Sequence, residues 1–165
     1  MFQHTLSFVV GLWHNRPLLA AILAILLTQT VKIPIHYAQY GVWDRHRLLD
    51  AGGLPSSHAA GVTALVVTLA FVVGTSSPTF ATAVVFAAIV MYDAGGIRRH
   101  AGEHAVLLNR IAMEMAKAGL TAKASPGPIR EGERLKEILG HEPKEVIIGA
   151  FIGFVIGVLF GVHWG

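Results

Sequence analysis

No cysteine occurs anywhere in the chain. That excludes disulfide bridges and thiolate metal sites, and it leaves the redox compartment unreadable. Charge is scarce too, at 14% of residues, where a soluble domain carries about 25%. A basic leader region followed by a small-residue cleavage site is also missing, so the first apolar stretch is expected to stay in the mature protein. The net charge of +3 is too modest to call for a nucleic-acid partner.

Apolar residues take the place of charge. They make up 53% of the 165 residues, and the mean hydropathy is +0.58. A membrane span needs about 20 predominantly apolar residues. Stretches 17–31, 58–92 and 146–164 approach that without an ionised side chain. The middle one is too long for a single helix and is broken by "GTSSPT" (74–79), whose Gly, Ser and Pro are turn chemistry. The expectation is an all-α polytopic membrane bundle with about four transmembrane helices, near 17–35, 57–73, 79–97 and 146–163. These would form a single integral membrane domain over 1–165. A soluble bundle would have too little polar chain to cover four such helices.

The connection 98–145 is different in character. Val106, Leu107, Ile111, Met113 and Met115 alternate with Arg110, Glu114 and Lys117 at near-helical spacing, which predicts an amphipathic helix at the interface. A polar loop, "KASPGPIREGER", follows, and "LKEILGHEP" is expected as a short helix leading into the last span. Arg45 and Arg47 lie after the first span, and seven further Lys and Arg lie in 110–144, while the other face carries Arg16. The positive-inside rule then predicts a multi-pass plasma (inner) membrane protein with both termini outside and both long connections in the cytoplasm. His163 and Trp164 read as an outer interfacial anchor. Gly149, Gly153, Gly157 and Gly161 recur every fourth residue in the last span. Such a stripe lets another helix approach closely, either within the bundle or across a homodimer seam.

The polar residues that flank the spans gather on one predicted face. Lys32 ends span 1, "LPSSH" with Ser56, Ser57 and His58 opens span 2, Asp93, Arg98, Arg99 and His100 close span 3, and His141 and Glu145 open span 4. Charges beside a membrane are costly unless paired, solvated or used. Their chemistry suits a phosphate: Lys is a mobile point charge, Arg a planar fork, and a helix start supplies N–H groups. Histidine can act as nucleophile or proton donor. Each feature also has a plainer reading: Ser56 as a helix N-cap, Lys32 as a snorkelling anchor, Arg98 and Arg99 as topology determinants.

"GGLPSSHAA", "MYDAGGIRRHAGEHA" and "LKEILGHEPKEV" together resemble the divergent type 2 phosphatidic acid phosphatase family, the acid phosphatase/vanadium-dependent haloperoxidase-related membrane proteins. The wider superfamily's pattern runs K-x6-R-P, P-S-G-H, S-R-x5-H-x3-D. Lys32 matches the first lysine, without the R-P. Pro55, Ser56 and His58 match the second motif, with Ser57 in place of glycine. Arg98 with His104 reproduces R-x5-H, but Leu108 stands where the aspartate belongs, whereas His141 with Glu145 reproduces H-x3-D with a longer carboxylate.

The resemblance implies a lipid phosphate phosphatase acting on a phosphomonoester or pyrophosphate lipid through a phosphohistidine. His141 is favoured as nucleophile over His104, with Glu145 orienting it from one helix face. His58 would protonate the leaving group, and Lys32, Ser56, Ser57, Arg98 and Arg99 would hold the phosphate. No cofactor is required, although Asp93 and Glu103 could hold Mg²⁺ beside it. Two other readings stay open: a lipid-phosphate binder or translocator without the chemistry, and a structural assembly protein.

Overall fold

The structure, a computed structural model, describes residues 10–43, 52–119, 135 and 140–163. Every regular element among them is a helix: α1 (Arg16–Tyr40), α2 (Ser57–Val72), α3 (Pro78–Gly95), α4 (Ile97–Lys117) and α5 (Pro143–Val162). Three helical stretches are long and apolar enough to cross a membrane: α1, the run Pro78–Met115 that contains α3, and α5. α2 is equally apolar, but its 16 residues make only about 24 Å at 1.5 Å per residue. Arg45, Arg47, the loop 123–134, Trp164 and most of the short helix expected over 135–143 lie outside the described residues.

Local signals set the helix ends. Asn15 caps α1, its side chain accepting from the Leu18 N–H at 3.1 Å, and Pro17 fits the first turn, where no intrahelical donor is needed. The helix does not stop near residue 35. It runs through Pro34 to Tyr40 and closes on Gly41, whose φ of 70° is the left-handed conformation of a helix C-cap. Ser77 caps α3 through the Phe80 N–H at 3.1 Å. α3 and α4 are nearly continuous and break at Gly96 (φ −115°, ψ −87°).

Small residues are inside and large ones outside, the reverse of a soluble bundle. Ala20, Ala24, Thr28 and Lys32 form a buried stripe on α1 at four-residue spacing. α2 buries Ala59, Ala60, Gly61, Ala64 and Thr68, and α5 buries Gly149, Gly153 and Gly157. Leu26, Phe86, Ile89, Phe151 and Phe154 are exposed. With apolar lipid outside, helices associate through close packing of small side chains. α2 packs most heavily on α5 and also touches α1 and α3. A Cβ on Gly149 or Gly153 would run into the carbonyls of Ser56 and Ala60, and Gly61 leaves space for Ile25. The glycine stripe of α5 is therefore occupied by α2 of the same chain. Thr68 adds a polar tie, its hydroxyl donating to the Ala64 carbonyl at 2.8 Å and lying 3.3 Å from the Gly157 carbonyl.

Candidate functional site

Two backbone bonds bring distant segments together at one end of the bundle. The Ser56 N–H donates to the Glu145 carbonyl at 3.0 Å, and the His141 N–H donates to the Ala94 carbonyl at 2.9 Å. The start of α2, the end of α3 and the start of α5 are thereby tied to one another. Gly52, Pro55, Ser56 and Ser57 are buried, so the irregular chain ahead of α2 is covered by protein, as backbone without helical hydrogen bonds must be at membrane depth.

Beside these ties lies a cavity of about 720 Å³. α1 contributes Lys32, His36, Gln39 and Tyr40, α4 contributes Arg99 and Glu103, the segment ahead of α5 contributes His141, and the first turn of α5 contributes Glu145. Lys32 is 4% exposed and His141 is 2% exposed. The His58 and His141 rings face each other, 6.0 Å between centroids and inclined at 73°. Both ring nitrogens of His141, and Nδ1 of His58, are buried without a hydrogen-bond partner among the described residues. Burial holds the His141 pKa down to about 4, and the nearby charges of Lys32, His58 and Arg98 add to the effect. At neutral pH the imidazole is uncharged and keeps a lone pair.

The remaining expected residues have definite places. Arg98 Nε donates to Asp93 Oδ2 at 2.6 Å, and Arg99 Nε to Glu103 Oε1 at 3.1 Å. His100 also contacts Glu103, at 3.1 Å. The two carboxylates considered for Mg²⁺ are thus drawn to different arginines, and among the described residues no three His, Asp or Glu side chains converge. His104 is exposed on α4 and does not border the cavity. Ser56 acts as the N-cap of α2, accepting from the Ala59 N–H at 3.3 Å.

The helical pairing of His141 with Glu145 needs correction. α5 begins at Pro143, so His141 precedes it and the four-residue spacing does not put the two on one helix face. The Glu145 carboxylate instead accepts from the Glu142 N–H at 3.0 Å, closing a capping box. Proline at the first helical position and a carboxylate three residues past Glu142 favour this start. An end of the first span near residue 35 leaves out His36, Gln39 and Tyr40, which the helix carries to the cavity. Their signal is the spacing 32, 36, 39, 40, which continues one helical face from Lys32.

Membrane-length apolar helices with small residues inside, and polar side chains around one terminal cavity, define a polytopic helical membrane protein. The chain belongs to the divergent PAP2 family, which it matches over residues 13–156. It is 39% identical over 144 residues to the uncharacterized membrane protein YuiD of Bacillus subtilis (strain 168), across 86% of this chain and 91% of that one. No solved structure matches the chain significantly.

Proposed function

We propose that the protein is a membrane-embedded lipid phosphate phosphatase that works through a phosphohistidine on His141. The observation that carries the reading is His141 itself. It is buried, uncharged at neutral pH and without a partner for either ring nitrogen, and it borders a cavity with Lys32 and Arg99. An unsatisfied buried polar group costs about 1–3 kcal/mol, and a functional site is where such a cost is retained.

In the proposed reaction a ring nitrogen of His141 attacks phosphorus in line. The N–P bond forms as the bond from phosphorus to the leaving oxygen breaks, and that oxygen takes a proton from His58. Water then attacks the phosphohistidine and gives its proton to His58, which releases phosphate and restores both rings. Lys32 and Arg99, with Arg98 nearby, offset the charge on the transferring oxygens. The substrate class is a phosphomonoester or pyrophosphate lipid such as phosphatidate or a prenyl pyrophosphate, reached from the cytoplasmic face.

One observation favours a second reading, a lipid-phosphate binder or translocator without the chemistry. The carboxylate expected to orient His141 is engaged in capping α5. Phosphate release from lipid phosphates by the purified protein separates the two. Wild type and His104→Ala are expected to release phosphate, and His141→Ala is not. If wild type releases no more than a His58, His104, His141 triple alanine variant while still binding lipid phosphate, the binder reading replaces the enzyme. No binding at all would leave a structural role. Sidedness is tested by placing one cysteine in 123–134 of this cysteine-free chain. Labelling from outside intact cells would reverse the orientation.

A further inference from the structure

We infer that Gly140 positions His141, keying the segment ahead of α5 onto the backbone of the α3–α4 junction. Gly140 has a φ of +79°, and a Cβ placed on it would lie 2.6 Å from both the Arg98 carbonyl carbon and the Arg99 Cα. Real side chains do not approach backbone that closely, so only glycine fits. The very next N–H, that of His141, donates to the Ala94 carbonyl at 2.9 Å. Two consecutive residues thus grip the junction on both sides of its break at Gly96. Four residues further on, the Glu145 carbonyl is held by the Ser56 N–H.

The grip takes over the task an orienting carboxylate would otherwise perform. Neither His141 ring nitrogen has a hydrogen-bond partner among the described residues, so backbone contacts aim the ring. The same junction presents Arg98, itself pinned by Asp93 at 2.6 Å. Imidazole and guanidinium are therefore held in one frame. The positioning stands on geometry alone; its use in phosphoryl transfer rests on the reading given under Proposed function.

The test is the rate at which diethyl pyrocarbonate modifies His141 as a function of pH, read by mass spectrometry on the purified full-length protein. Exposed His104 and His163 serve as internal references. Gly140→Ala and Gly140→Asn are compared with Gly119→Ala, because Gly119 has a similar φ of +69° but open space around it. Both Gly140 variants are expected to raise His141 modification at pH 7 roughly tenfold and to move its titration from about 4 toward 6.5. His163 and the Gly119 control should not change. Asn tolerates left-handed backbone, so its behaving like Ala assigns the effect to close approach rather than to φ. A folded Gly140→Ala protein with the wild-type rate and titration at His141 overturns the inference. A measurement that needs no variant is amide exchange at His141 in the wild type. It is expected to be slowed about 100-fold or more, and free exchange there overturns the inference too. Wild-type protein that releases no phosphate while these results hold rejects the enzyme reading and leaves the positioning intact.

Discussion

The imidazoles of His58 and His141 face each other across 6.0 Å, one from the first turn of α2 and one from the segment just ahead of α5. No helix carries both. The pair exists because α5 packs on α2 through glycines that admit the backbone carbonyls of Ser56 and Ala60.

If His141 is the nucleophile, its lone pair is available at any pH above its pKa of about 4. The acid limb of kcat/KM is expected well below the ordinary histidine value of 6.5. His141→Asn should lower kcat by more than about 10³-fold, since a covalent route cannot proceed without its nucleophile. An acid limb centred near 6.5, with His141→Asn still active, would assign the chemistry to another residue.

His58 as proton donor makes a prediction about leaving groups. An alkoxide needs a proton as it departs, and a p-nitrophenolate does not. In single turnovers read at phosphohistidine formation, before the hydrolysis in which His58 takes water's proton, His58→Gln is expected to lose roughly 10²-fold on phosphatidate and much less on p-nitrophenyl phosphate. Equal losses on the two substrates would give His58 a binding role instead.

The depressed pKa of His141 also links folding to pH. The unfolded chain takes up a proton there near pH 6.5, while the folded chain does so only near 4. Stability is therefore complete above the unfolded value and is lost as pH falls toward 4, by on the order of 3 kcal/mol. Unfolding midpoints in detergent should drop across this window. His141→Gln should flatten the dependence, and an unchanged slope in that variant would remove His141 as the cause.

The glycines of α5 should differ in their tolerance to a methyl group. Gly153→Ala sets a Cβ against the Ala60 backbone, which cannot yield without moving α2, and is expected to cost about 1–3 kcal/mol. Gly161→Ala meets the Cβ and ring of half-exposed Phe71 and no backbone atom, and the ring can swing aside, so a smaller loss than for Gly153→Ala is expected. Denaturation of the two variants in detergent checks the order.

Much of this was legible in the residues. The apolar runs, the "GTSSPT" turn and the cap at Ser56 are local features, and local features survive folding. Lys32 stood out because an ammonium at the end of an apolar run needs a reason. The link between His141 and Glu145 misled because a four-residue spacing has meaning only inside a helix, and Pro143 with its capping box starts α5 after His141. Gly140 gave no signal of its own, since its role is set by backbone from a helix far away in sequence. The alternatives for the stripe at 149–161 were equal in the sequence, and only packing could show which helix fills it.

α2 makes about 24 Å of helix, less than the roughly 30 Å of hydrocarbon in a bilayer, and its main seat is on α5, which leaves the ribosome after it. Its integration into the bilayer thus depends on chain not yet synthesised when α2 itself emerges. A chain truncated ahead of Pro143 is expected to leave α2 unsettled in the membrane and open to quality-control proteases, whereas α1, at 25 residues, can insert unaided. Protease protection of truncated and full-length chains in isolated membranes reads the difference. Assembly of the His58–His141 pair then waits on the synthesis of α5, so no chain that stops ahead of Pro143 holds the two imidazoles on a packed α2–α5 pair.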